Sequence, residues 1–146
     1  MEDLQIRFCT EDDYSSVFEL LKQLWLKQLN YEMLHATYKN ALKSNSQKLI
    51  IGFTNNQIAG FCSLTIKNSL WQAGNLGHID ELIVDNHFRK QGIGKKLMTE
   101  ITQIAKANNC KRIELDSAFY RQEAHKFYEN AGFEKRAYLF SKIIDE

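Results

Sequence analysis

Two glycines two residues apart, Gly92 and Gly94, stand where the chain changes its apolar period, and this change constrains the fold more than any other feature. Before them, GHIDELIVD (Gly77 to Asp85) reads as a strand, with Ile79, Glu81 and Ile83 on one nominal face and His78, Asp80, Leu82 and Val84 on the other. After them, Leu97, Ile101, Ile104 and Ala105 recur at helical spacing in a segment that runs to about Asn108. The junction carries Arg89, Lys90, Lys95 and Lys96. A strand, a basic Gly-x-Gly loop and a helix gather unpaired backbone N–H groups and the positive end of a helix dipole at one spot, which suits a phosphate. The plainer alternative is a turn made by the glycines with the four cations solvated. The segment is no P-loop, because G-x-x-x-x-G-K-S/T is missing, and it lacks the third glycine of a dinucleotide fingerprint.

The flanking sequence sets the remaining elements. LQIRF alternates as a strand, and Thr10, Glu11 and Asp12 carry helix-start chemistry ahead of an apolar face made by Val17, Leu20, Leu21, Leu24 and Trp25. A second helix is expected from Tyr31 to Ala41. KLIIGF and QIAGFCSLTI around TNNQ read as a hairpin. RIELD is a short strand, RQEAHKFYENAG a short helix closed by Gly132, and FEKRAYLFSKII a final strand or strand pair. The order is strand, two helices, three strands, helix, strand, helix, strand. With no repeat and no linker, the 146 residues form one mixed α/β domain, 1–146.

Charge and cysteine content weigh against several classes. The formal net charge is only +1, whereas a protein that neutralises many nucleic-acid phosphates carries a basic excess. No run approaches the length of a membrane span, and the N-terminus has no signal-peptide pattern. Cys9, Cys62 and Cys110 are odd in number, widely spaced and without a zinc-ligand interval. A cytoplasmic protein with reduced thiols and no bound metal is expected.

ELIVDNHFRKQGIGKKLM resembles the coenzyme A signature of the GNAT superfamily of N-acetyltransferases, with Arg89, Gly92 and Gly94 in the Arg-x-x-Gly-x-Gly positions. AHKFYENAGF, Ala124 to Phe133, is similar to the second signature of that family, and IRFCTEDDYSSVFELL to its first strand and helix. The resemblance covers nearly the whole chain. It implies a GNAT-like fold, with a largely antiparallel mixed sheet flanked by helices and opened between its fourth and fifth strands. It implies acetyl-CoA as cosubstrate, the pantetheine arm along the backbone at Ile83 and Val84, and the pyrophosphate on the amides of Gln91, Gly92, Ile93, Gly94 and Lys95, with Arg89 and Lys90 beside them.

Acetyl transfer to an amine needs a base, a stabilised oxyanion and a proton for the departing thiolate. The resemblance implies Tyr128 as the acid and a backbone N–H near Ile83 for the oxyanion. From spacing alone Tyr128 is an aromatic packed beside Phe127. Glu81 is favoured as base, Asp80 follows and His78 is a third candidate; a bulge in their strand would change which of them faces the amine. Ordinary solvated carboxylates are the alternative.

Arg121 stands where the family often has Asn; it is assigned either to the cofactor phosphates or, with Tyr120 and His125, to an anionic part of the acceptor, against a plain surface arginine. RQEAHKFY is similar to the matching segment of aminoalkylphosphonate acetyltransferases. A cysteine nucleophile is disfavoured, since no thiol lies beside a histidine or a helix start.

The expected protein is therefore an acetyl-CoA-dependent N-acetyltransferase that acylates a primary amine of a small molecule by direct transfer through a tetrahedral intermediate. The loops at 27–35 and 68–76 shape the acceptor pocket, with Trp25, Tyr31, Trp71 and Tyr138 as walls. Neither nucleic acid nor membrane is a partner, and a homodimer is possible. The alternatives are a protein N-terminal or lysine acetyltransferase, a non-catalytic acyl-CoA sensor, and nucleic-acid binding through the four cations.

Overall fold

The structure is a computed structural model and describes residues 3–145. Its element order is β1 (Gln5–Phe8), α1 (Tyr14–Trp25), α2 (Tyr31–Lys43), β2 (Gln47–Thr54), β3 (Gln57–Ser69), β4 (Gly74–Val84), α3 (Ile93–Ala107), β5 (Cys110–Leu115) and α4 (Gln122–Asn130). The chain groups into two compact units, Met1–Leu115 and Asp116–Glu146.

In the first unit five strands form one sheet in the order β1-β2-β3-β4-β5. The first four pair antiparallel, and β5 joins β4 in parallel. The β2–β3 hairpin turns on Asn55 and Asn56, at φ of 51° and 61°. Asparagine tolerates this left-handed region better than most residues, so TNNQ closes as a two-residue turn.

Both sheet faces are covered. On one, Leu49, Ile51, Phe61 and Ile83 pack with Tyr14, Val17, Phe18, Leu20 and Leu21 of α1 and with Tyr38 and Ala41 of α2. On the other lies α3: a Cβ added at Gly60 would meet Leu97 at 2.8 Å and Ile93 at 3.4 Å, so a glycine lets helix and sheet approach closely there.

The entry to α1 is fixed by a carboxylate. Asp13 is buried and accepts hydrogen bonds from Arg7 at 2.8 and 3.0 Å and from the Thr10 amide at 2.7 Å. Burial would raise its pKa, but the bonds from Arg7 and Thr10 outweigh that effect and hold it below the ordinary aspartate value. The folded carboxyl is therefore the stronger acid, and its contribution is complete above the unfolded pKa and lost as pH falls through the folded one. Asp13→Asn should cost about 1–2 kcal/mol near neutral pH, with a smaller difference from the parent in strong acid. Urea unfolding at both pH values checks this.

The second unit holds α4, which Gly132 terminates at φ 96°. The strand or strand pair expected over FEKRAYLFSKII is not formed: residues 133–145 have no regular secondary structure. An apolar run becomes a strand only where a neighbouring strand takes its backbone hydrogen bonds. Tyr138, Leu139, Phe140, Ile143 and Ile144 are exposed.

Candidate active site

Strands β4 and β5 separate partway along their length. Their register ends at Ile79 opposite Leu115, whereas β4 continues to Val84. From Asp80 onward, the β4 edge away from β3 is thus not paired with β5. The Asp85 amide bonds back to Ala59 at 2.8 Å, so the preceding Val84 carbonyl faces that free edge, where Arg89 Nε donates to it at 3.2 Å. Arg89, expected at the phosphates, therefore has one N–H engaged with the strand and other guanidinium N–H groups for an anion. The Ile83 side chain points into the core, opposite Phe61.

The loop after β4 is anchored by α1. Gln23 donates to Asp85 at 3.1 Å and accepts from the Asn86 amide at 3.1 Å, while Asp85 also accepts from the His87 amide at 2.8 Å. Lys90 and Gly92 then take left-handed conformations, at φ of 63° and 82°. Gly92 is the N-cap of α3, and the first bond within that helix runs from the Lys96 amide to the Gly92 carbonyl at 3.1 Å.

The amides of Ile93, Gly94 and Lys95 come before that bond, where a helix has no internal acceptor for its N–H groups. A Cβ at Gly92 would have nothing within 4 Å, so the space in front of the helix start is open. The buried Ile93 side chain pins this turn to the sheet. Open space, unpaired amides and nearby cations fit the diphosphate of coenzyme A. Gln91 and Lys95 lie in the same turn.

A bulge in β4 decides the direction of the carboxylates. Ser63 pairs with Glu81 and Leu64 with Ile79, which leaves Asp80 as the extra residue. The nominal faces read from the sequence are therefore corrected: Ile79 and Leu82 point to the α3 side, whereas His78, Glu81 and Ile83 share the α1/α2 side with Thr65, Ser63 and Phe61. Two β3 hydroxyls on this face hold two consecutive β4 carboxylates. Ser63 donates through a short bond to Glu81, and Thr65 donates through another to Asp80, which also meets His78 Nδ1 at 2.8 Å.

Burial raises the Glu81 pKa above the ordinary glutamate value; the Ser63 hydrogen bond opposes this, Asp80 adds to it and His78 opposes it. Asp80 is exposed. Sequence reasoning missed Ser63, Thr65 and Gln23, although hydroxyls at alternate positions of the apolar run FCSLTI were a usable signal.

In the second unit Tyr128 is buried on α4, with its ring near Phe127 at 5.6 Å and Phe133 at 6.0 Å. Arg121 is the N-cap of that helix and makes no capping bond with its side chain. Its carbonyl accepts from the His125 amide at 3.1 Å, and the His125 ring meets the Ala118 carbonyl at 2.9 Å. Of the expected pocket walls, Tyr31 packs edge-on to Tyr14 and Phe18, Trp25 lies partly buried at the core, and Trp71 and Tyr138 are exposed.

Desolvation pushes the Cys9 thiol up to about 12 and raises Cys62 and Cys110 as well, so each of the three stays protonated at neutral pH. Among the described residues, no group of three or more His, Cys, Asp or Glu side chains could hold a metal ion, and no helix is long and apolar enough to cross a membrane.

A mixed sheet that opens beside a glycine-capped helix start, with carboxylates on the adjoining strand, has the layout of an acyltransferase of the N-acetyltransferase class. Residues 14–133 match the pattern of the Acetyltransferase (GNAT) family, and the chain belongs to that family. Over 140 residues it is 26% identical to the aminoalkylphosphonate N-acetyltransferase of Salmonella typhimurium, covering 96% of this chain and 91% of that one. It is 29% identical over 134 residues to the glucosamine 6-phosphate N-acetyltransferase of Trypanosoma brucei brucei, covering 90% and 89% respectively. The crystal structure of glucosamine-6-phosphate N-acetyltransferase from Arabidopsis thaliana superposes with a TM-score of 0.82 at 26% identity, over 99% of this chain and 100% of that one.

Proposed function

We propose that this acetyltransferase moves an acetyl group from acetyl-CoA directly to the primary amine of a small molecule bearing an anionic group. The observation that carries the reading is the bulge at Asp80, which turns Glu81 to the α1/α2 side where β4 loses its β5 partner. Acetyl-CoA supplies the activated acyl group as a thioester.

Arg89 and Lys90, with the amides of Gln91 to Lys95, hold the diphosphate, and the backbone at Ile83 and Val84 orients the arm. Glu81 takes the amine proton as the C–N bond forms, Tyr128 gives a proton to the thiolate as the C–S bond breaks, and a β4 amide near Ile83 stabilises the oxyanion. Burial supports Glu81 over Asp80, because a pKa raised toward neutrality suits a general base.

The anionic acceptor is supported by two relatives that are named for an aminoalkylphosphonate and a sugar phosphate. Arg121 is the residue of this chain suited to that anion. The GNAT pattern spans 14–133, which supports one domain, and the exposed apolar residues from Tyr138 to Ile144 support a homodimer. Three free cysteines support a cytoplasmic setting.

Thiol release from acetyl-CoA over a panel of amines tests the reading. Aminoalkylphosphonates and amino-sugar phosphates should outpace their uncharged counterparts; equal rates would remove the anionic acceptor, and no turnover with any amine would remove the function. Tyr128→Phe should lower kcat about 10²-fold with little change in KM for acetyl-CoA. Steady-state kinetics with the best amine reads both.

A further inference from the structure

The geometry points to Ser63 as the positioning residue for the base, a hydroxyl on β3 that fixes the direction of the Glu81 carboxylate and favours its ionised form. The inference rests on Glu81 being the base and adds a residue outside the three segments that carry the resemblance in the sequence. Ser63 is buried, and its Oγ meets Glu81 twice: it accepts from the Glu81 amide at 3.1 Å and donates to Oε1. A single atom thus ties the carboxylate to its own backbone across the bulge. The Glu81 amide takes one of the two lone pairs of Oγ, and the single hydroxyl proton goes to the Glu81 carboxylate.

The other groups around Glu81 cannot take over this role. Asp80 is held by Thr65 and His78, repels a second negative charge and raises the Glu81 pKa. His78 acts in the opposite direction and sits across from Glu114 of β5. Cys62 of β3 points to the other sheet face, and its thiol is protonated. On α1, Glu19 and Lys22 pair with each other at 3.1 Å. Without the Ser63 hydroxyl, burial would act on the carboxylate with no side-chain donor against it, and the base would ionise at higher pH.

The experiment is the pH dependence of kcat/KM for the best amine, expressed per concentration of its unprotonated form so that the substrate's own titration drops out, in the parent, Ser63→Ala, Glu81→Gln and the double variant. In the parent, activity should fall on the acid side as Glu81 protonates, and Glu81→Gln should abolish that limb. Ser63→Ala should move the limb upward by about one pH unit, with KM for acetyl-CoA unchanged, and should add nothing in the Glu81→Gln background. Ser63→Thr, which restores a hydroxyl, should bring the limb back.

A limb that vanishes with Glu81→Gln but stays in place with Ser63→Ala overturns the role of Ser63 and leaves the function standing. A limb that survives Glu81→Gln overturns the base assignment and this inference with it. If Ser63→Ala does not fold, Ser63→Cys keeps the volume with a weaker donor, and NMR titration of the Glu81 carboxyl carbon reads the same upward shift without turnover. An unmoved midpoint there overturns the inference equally.

Discussion

Glu81→Gln is expected to lower kcat about 10³-fold at neutral pH while acetyl-CoA binding is retained, the largest loss of activity foreseen for any single side chain of this protein. The substitution keeps the shape of the side chain and an oxygen for the Ser63 hydroxyl, but removes the proton acceptor. The sign of its effect on stability is informative. Burial raises the folded-state pKa of Glu81, so this group favours the fold below its unfolded pKa and loses that contribution as pH rises through the folded one. At neutral pH the buried charge is a burden, and the Gln variant should melt no lower than the parent. Activity lost at unchanged melting temperature identifies a chemical role. Activity retained in Glu81→Gln would move the base to Asp80, and Asp80→Asn is then the variant to measure.

The second large effect concerns binding. Gly92→Glu should weaken acetyl-CoA at least about 10²-fold by calorimetry, because it adds a like charge at the diphosphate seat and forces a side chain into a left-handed conformation. Gly92→Ala separates the two causes. The glycine sits at φ 82°, and an added Cβ would meet nothing within 4 Å, so alanine should cost only about 1 kcal/mol of stability. A further loss of affinity in the Ala variant would then be due to crowding of the ligand. Tight binding retained in Gly92→Glu would remove the diphosphate from this loop and end the assignment of residues 91–95.

The change of period at Gly92 is sufficient to place the end of β4, the loop and the start of α3, because both halves of the signal are local: alternation in GHIDELIVD before the glycines, and helical spacing from Leu97 after them. The Asn-rich turn and the cap at Gly132 were legible for the same reason, since each depends on the φ of one or two residues. FEKRAYLFSKII reads as a strand or strand pair from its apolar pattern, but a strand exists only with a partner, and the pattern does not name one.

What the sequence by itself determined is the order of elements from β1 to α4, the family, and the glycine loop at the start of α3. What only the tertiary structure decided is which side chains face one another across β3 and β4. Strict alternation puts Glu81 with Ile79 and opposite Asp80, whereas the bulge sends Ile79 to the α3 side and leaves Glu81 on Ser63, 18 residues earlier in the chain. A bulge belongs to the register between two strands and leaves no mark on the period of either one, so the partner of Glu81 is visible only once the strands are paired.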